Sequence, residues 1–343
     1  MRMSAMPDAS IADVNPAGIV DAILGFHKTA ALKAAISLEV FTTIAAGDDT
    51  SERIAAKSGA AERGIRILCD FLTAHGFMTK TGAHYRLTPS SQVFLDRRSL
   101  AYMGSVVDFL SAPEQLDLFL QDPVTYVRHG GSMGLANMAP DHPIWLKFAE
   151  AMIPFVVASA GGVAAEVASW PDRPRKVLDI AAGHGMFGIE VAKALPDAEI
   201  TAVDWAAVLE LARRNAERAG VASRYRTVAG SAFDVDWGGG YDLVMLPNFL
   251  HHFDIATCAR LMQKVRASLA PGGRVLAVEF VPNEDRVSPP FPAAFALVML
   301  ATTPQGDAYT ASGLGEIARA AGFSGVSVRP LAHSPASLVL FEP

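Results

Sequence analysis

The stretch KVLDIAAGHGMFGIEVAKALPDAEITAVD, Lys176 to Asp204, decides the fold. KVLDIAA is a short apolar run that reads as a buried strand, and AEITAVD, ending at Asp204, reads as a second. Between them AGHG is a glycine-rich turn, where missing Cβ atoms let a ligand approach the backbone, and Met186 to Leu195 has helical spacing.

Downstream the same grammar continues. A helix is predicted from Ala206 to Ala219, strands at YRTVAG and YDLVMLPN, and a helix from Ile255 to Leu269. Strand GRVLAVEFV, helix Gly313 to Ala321, and strands at Val326 to Arg329 and Ser337 to Phe341 complete the series. Alternation of this kind predicts an α/β, Rossmann-like, seven-stranded, mostly parallel sheet covered on both faces, with ligands at the carboxyl ends of its strands.

Upstream the chain is mainly helical. Apolar residues at helical spacing from Ala17 to Ala46 predict a packed helix pair closed by Gly47. SERIAAKSGA begins with Ser51 as a cap, ERGIRILCDFLTAHGF places Ile65, Leu68, Cys69 and Leu72 on one face, and MTKTGAHYRLT reads as a hairpin. Helix, turn, helix and hairpin make a winged-helix pattern. Between Gly47 and Arg98 eight Lys/Arg stand against six Asp/Glu, too balanced for a phosphate-binding face, so protein contact is the expected use. Residues 99–170 are expected to be mostly helical, with a loop at HGGSMGLANMAPDHP. The expected domains are 1–100, winged-helix-like; 101–170, a helical connector that helps form the ligand pocket; and 171–343, the α/β domain.

With 343 residues, 51% apolar and 19% charged, the chain is globular and long enough for two domains. Its 29 basic and 35 acidic side chains leave a net charge of −6, which makes nucleic acid and anionic membranes poor partners and small molecules good ones. Cys69 and Cys258 are far apart and lack metal-binding spacing. No signal-peptide pattern occurs in the first twenty residues, and the uncharged stretch Val287 to Gly306 is interrupted by four prolines. A soluble, cytoplasmic protein is the expectation.

Gly183, Gly185 and Gly188 spell G-x-G-x-x-G with Asp204 about twenty residues on, a pattern that fits a dinucleotide or S-adenosylmethionine. Asp179, just before the turn, favours the latter, because a carboxylate there would repel a pyrophosphate and suit a cation. Asp179 also reads as an ordinary turn acid, Asp204 as a helix cap and Trp205 as either an adenine platform or core.

Taken together, LDIAAGHG, AVDW, LPNFLHHFDIATC, PGGRVLAVEF and ARAAGF, in this order, resemble the class I S-adenosylmethionine-dependent O-methyltransferases of the plant caffeate and acetylserotonin type, with their bacterial relatives. The resemblance covers nearly the whole chain. It implies an amino-terminal winged-helix dimerisation domain and a homodimer, with the helices around His27 reaching toward the partner. Cofactor contacts carry over to Asp179, Ala181, Gly183, Gly185, Asp204, Trp205, Ser231, Ala232 and Asn248. Two departures stand out: Ala181 and Ala182 replace the usual first turn glycines, and Ser231 replaces an acid on the adenine amine.

Methyl transfer requires aligned partners, a dry site and removal of the acceptor proton. A histidine, with an ordinary pKa of about 6.5, suits the last task. His251 and His252 both follow the fourth strand, and the resemblance gives the base to His251 and an orienting carboxylate to Glu279. His252 is expected at a helix start or the surface. A second family glutamate falls on Ala308, beside Asp307. Two histidines with Asp254 make a poor metal set, so no metal is expected. Phe148, Met152, Phe295 and Met299 carry over as walls of the acceptor pocket. The expected reaction is O-methylation of a hydroxylated aromatic small molecule. C- or N-methylation, a nicotinamide-dependent oxidoreductase and a winged-helix regulator are the alternatives.

Overall fold

The computed structural model describes residues 15–133 and 142–342. The expectations on the first fourteen residues and on the middle of the Gly/Met/Pro-rich loop lie outside that set. By contacts the chain divides into two compact units, Met1–Ala112 and Pro113–Pro343, a division that falls inside the stretch 101–170.

In the first unit the predicted amino-terminal helix pair is three helices, Ala17–Ile23, Gly25–Ser37 and Val40–Ala45. The chain turns sharply at Glu39, whose left-handed φ of 53° breaks the second helix from the third. Helix Ser51–Ser58 is capped by Thr50, whose hydroxyl accepts the Arg53 N–H, so the predicted serine cap is one residue late. Helix Glu62–Ala74 buries Ile65, Cys69 and Leu72 on one face, and strands β1 (Met78–Thr81) and β2 (His84–Leu87) form the predicted antiparallel hairpin. Tyr85 of β2 joins Phe41, Ile54 and Leu72 in the unit's core. Helix Ala17–Ile23 buries none of its residues: Ile19, Val20 and Ile23 all face out.

The second unit is built on seven strands: β3 (Lys176–Ile180), β4 (Glu199–Asp204), β5 (Tyr225–Ala229), β6 (Tyr241–Pro247), β7 (Leu269–Glu279), β8 (Gly325–Pro330) and β9 (Ser337–Glu342). Their order across the sheet is β5-β4-β3-β6-β7-β9-β8. The first five are parallel, and β9 pairs antiparallel with both β7 and β8. The order reverses between β3 and β6, which opens a crevice beyond the carboxyl ends of those strands.

Side chains alternate along β3. Val177 joins one core, under helices Ile144–Ala168, Met186–Ala194 and Ala206–Arg218, while Leu178 and Ile180 join the other, under Ile255–Ala267 and Ala311–Ala320. Each such fully buried aliphatic side chain contributes about 1.5–3 kcal/mol. Helix Ile144–Ala168 is long and apolar enough to cross a membrane by length and composition, and Ala160, Val163 and Val167 on its inner face are buried in the first of these cores. The proline-interrupted stretch holds a helix the periodicity did not reveal, Pro290–Thr302, with proline at its first turn, where no intrahelical donor is needed.

Two glycines separate packing from propensity. At Gly188 a Cβ would lie 2.8 Å from Ile200 Cγ2 and 2.9 Å from Asp179 Oδ2, whereas at Gly161, in the middle of helix Ile144–Ala168, nothing lies within 4 Å. In denaturant titrations Gly188→Ala is expected to destabilise by about 1–3 kcal/mol through overpacking. Gly161→Ala should instead be stabilising by about 0.5–1 kcal/mol, because helix propensity is the only thing it changes.

Candidate active site

The carboxyl ends of the five parallel strands bring together residues scattered over a hundred positions of sequence. Asp179 is at the end of β3, Asp204 ends β4, Ser231 follows β5, Asn248 follows β6 and Glu279 ends β7.

The glycine turn is left-handed at alternate residues: φ is 55° at Ala181, 57° at Gly183 and 79° at Gly185. Alanine at the first position therefore keeps the turn, at a cost of about 1–2 kcal/mol. The turn is tied to β4 by Ala182 N–H to Val203 O at 3.1 Å and Gly183 N–H to Asp204 Oδ2 at 2.8 Å. Asp204 Oδ1 accepts the Trp205 N–H at 2.7 Å, and helix Ala206–Arg218 starts without a side-chain cap, so Asp204 serves the turn and not the helix. The Trp205 ring packs with Ala149, Val208 and Leu211 and is only partly exposed.

Asp179 is fully buried beneath the turn. Its Oδ2 accepts the Gly188 N–H at 3.0 Å, and its Oδ1 is buried with no partner among the described residues. The acid that the sequence places just before the turn thus sits beneath it, held by the Gly188 N–H. Burial, with Asp204 nearby, pushes Asp179 up to about 7, and burial pushes Asp204 up to about 6. Two desolvated acids behind one turn are a poor environment for an anion and a favourable one for a cation.

Ser231 Oγ accepts the Phe233 N–H at 3.2 Å, and Ala232 is buried. Asn248 is left-handed, with φ 54°, its N–H donates to Val278 O at 2.7 Å, and its Oδ1 is buried without a partner among the described residues.

Glu279 collects the turn after β6. Its Oε1 accepts the N–H groups of Phe249 at 3.1 Å and Leu250 at 2.8 Å, and its Oε2 accepts His251 Nδ1–H at 2.5 Å. Both side chains are at most 5% exposed. With Nδ1–H donated to the carboxylate, the imidazole turns its other nitrogen, Nε2, away from Glu279. Phe295 packs edge-on against the imidazole at 4.9 Å, and Phe280 lies tilted against Phe295 at 4.5 Å and edge-on to Phe291 at 5.3 Å. His252 is partly buried, with its ring 4.5 Å from that of His251, and burial next to His251 holds its pKa well below the ordinary value. It is thus a neutral neighbour of His251, at the end of the short turn Leu250–His252, where a helix start or a surface position was expected.

Ala308 is buried, and the carboxylate of Asp307 is taken by Arg286 at 2.8 Å. Asp307 touches His251 through the backbone, its N–H donating to His251 O at 3.0 Å, so among the described residues Glu279 alone supplies a carboxylate to the imidazole. Of the expected pocket residues, Phe295 is against the imidazole, Met299 is buried one turn further along the same helix, and Phe148 and Met152 sit one turn apart on helix Ile144–Ala168, the first exposed and the second partly so. Among the described residues no three of His, Cys, Asp and Glu are grouped to hold a metal ion.

Several supports were not read from the sequence. His184 Nδ1 accepts the Met186 N–H at 3.1 Å inside the glycine turn, and burial pushes its pKa down to about 4, keeping it neutral. Cys258 Sγ donates to Leu250 O at 3.2 Å and Tyr309 hydroxyl donates to Phe253 O, so the turn bearing His251 is closed from two sides. Cys258 does belong to the quoted HHFDIATC motif, but its thiol's partner depends on tertiary packing.

Comparison with known proteins follows the same outline. An O-methyltransferase domain matches residues 138–324, and an O-methyltransferase dimerisation domain matches residues 20–97. The chain is 28% identical over 317 residues to 3-hydroxy-5-methyl-1-naphthoate 3-O-methyltransferase of Streptomyces sahachiroi, covering 91% of this chain and 90% of that one. A provisionally assigned O-methyltransferase from Nostoc punctiforme superposes with a TM-score of 0.90 at 46% identity, covering 96% of this chain and 99% of the other. Human N-acetylserotonin methyltransferase, solved with S-adenosylmethionine, shares the fold at a TM-score of 0.80 and 20% identity, covering 97% and 99%. The O-methyltransferase domain, which matches more than half of the chain, and the matched dimerisation domain place this chain in the family of S-adenosylmethionine-dependent O-methyltransferases.

Proposed function

We propose that the protein methylates a hydroxyl group on a flat, aromatic small molecule, with His251 as general base, and that it works as a homodimer. The observation that carries this reading is the buried His251–Glu279 pair at 2.5 Å, with the rings of Phe295 and Phe280 clustered beside it. Several relatives support the substrate class, among them the naphthoate enzyme named above.

The residues fit the cofactor. Asp179 and Asp204 form an anionic floor that a cation would relieve, and Asn248 Oδ1 is a buried acceptor without a donor among the described residues. The left-handed turn at Ala181, Gly183 and Gly185 would admit the methionyl portion, each Asp204 oxygen keeps a lone pair for ribose hydroxyls, and Trp205, Ser231 and Ala232 would receive the adenine. When bound, S-adenosylmethionine supplies the electrophilic methyl. The chain's part is to hold the acceptor against Phe295 with Phe148, Met152 and Met299 as further walls, and to exclude water. Nε2 of His251 takes the hydroxyl proton as the oxygen attacks. Glu279, which keeps Nδ1–H pinned, stabilises the imidazolium that results.

His251→Ala should lower turnover by about 10²–10⁴-fold, while calorimetry with S-adenosylhomocysteine shows unchanged cofactor affinity. Full turnover in that variant would remove the base assignment. Glu279→Gln loses at least one of three acceptor bonds and is expected to show both reduced turnover and a lower melting temperature.

The raised acids set a pH dependence. Asp204 and Asp179 are protonated below about 6 and about 7, and the cationic cofactor favours their ionised forms, so affinity for S-adenosylmethionine rises as pH increases through that range and then levels off. Titrations from pH 5 to 8 should show this rise, and Asp179→Asn should flatten its upper part.

For the dimer, the exposed apolar side chains Ile19, Ile23 and Phe26 supply an uncovered face within the region matched by the dimerisation domain or next to it. His27 adjoins that face. Sedimentation should find a dimer for the wild type and a shift toward monomer for Ile23→Glu with Phe26→Glu.

A further inference from the structure

Lys264 belongs to helix Ile255–Ala267, yet its bonds all go to a single loop that precedes it by about thirty residues. Its Nζ donates to Ala232 O at 3.0 Å, Phe233 O at 3.2 Å and Val235 O at 2.7 Å. An ammonium has three N–H donors, so this loop uses all of them. The Trp237 ring lies 3.9 Å from the same nitrogen and adds a cation–π contact.

The other side of the loop is closed by Ser231. Its carbonyl accepts the N–H groups of Asp234 and Val235 at 3.0 Å each, and its hydroxyl oxygen accepts that of Phe233. Gly230 precedes it in a left-handed conformation, φ 136°, so tight against Val235 that a Cβ would meet Val235 Cγ1 at 2.4 Å. Carbonyls thus converge on Lys264 and N–H groups on Ser231. Among the described residues the Ala232 N–H has no acceptor, and Ser231 Oγ retains a lone pair.

We propose that Lys264 is a positioning residue that fixes this loop in the form that reads the cofactor's base: by gathering the carbonyls on one side it leaves the Ala232 N–H for a ring nitrogen that accepts. The inference rests on the assignment of Ser231 and Ala232 to adenine made above. It has a specific chemical consequence. Adenine N1 is an acceptor, whereas the N1 of hypoxanthine carries a hydrogen and would oppose the Ala232 N–H, so the loop should discriminate between the two bases.

The test is calorimetry of the full-length protein with S-adenosylhomocysteine and with S-inosylhomocysteine. Wild type is expected to bind the adenine ligand at least on the order of tenfold more tightly. Lys264→Met should weaken S-adenosylhomocysteine by about tenfold and leave S-inosylhomocysteine almost unchanged, and Lys264→Arg should recover most of the preference. A residue with only a structural role would weaken both ligands alike or neither, and an unchanged ratio in Lys264→Met overturns the proposal. If wild type itself shows no preference, the adenine assignment falls and the role of Lys264 falls with it. Should the methionine variant not fold, Lys264→Gln is judged by the same ratio.

Discussion

A buried carboxylate must be met by donors, and Glu279 meets three of them within one short turn: Phe249 N–H, Leu250 N–H and the His251 imidazole. These bonds fix the backbone after β6, the tautomer of His251 and the direction of its free nitrogen at once. Removal of the carboxylate would leave two backbone donors buried without acceptors, so the pair is structural and chemical together. The fold makes it possible because β6 and β7 are adjacent and parallel, which brings the end of one beside the turn that follows the other.

The same edge of the sheet also sets the electrostatics. Asp179 and Asp204 end neighbouring strands and are desolvated by the helices packed over them, so each holds its proton more tightly than an exposed acid would. That cost is borne by the apolar cores on either face, and a cationic ligand in the turn would offset part of it. The helix that starts beyond His251 extends the arrangement: Asp254 caps it, Cys258 seals the Leu250 carbonyl and Lys264 gathers the loop after β5.

Much of this was legible in the sequence. Buried parallel strands announce themselves as short apolar runs, and the motif order fixed the sheet, the glycine turn and the candidate residues Asp204, His251 and Glu279. What escaped depends on contacts between distant segments. Nothing local distinguishes Lys264 from a solvated helix lysine, or shows that Arg286 takes the Asp307 carboxylate. Asp179 was singled out, but its seat beneath the turn, on the Gly188 N–H, follows from packing. The helix Pro290–Thr302 was hidden by its prolines, which mark its first turn, and the break at Glu39 places a left-handed residue where periodicity alone runs on.

The proposed base role requires that His251, with a proton on Nδ1 toward Glu279, direct Nε2 at the acceptor hydroxyl. Nitrogen-15 NMR of imidazole-labelled protein, in complex with S-adenosylhomocysteine and a hydroxyaromatic acceptor, tests it most directly. His251 is expected to carry a proton on Nδ1 and none on Nε2, the latter accepting a hydrogen bond from the acceptor hydroxyl. A proton on Nε2, or an Nε2 resonance indifferent to the acceptor, would contradict it.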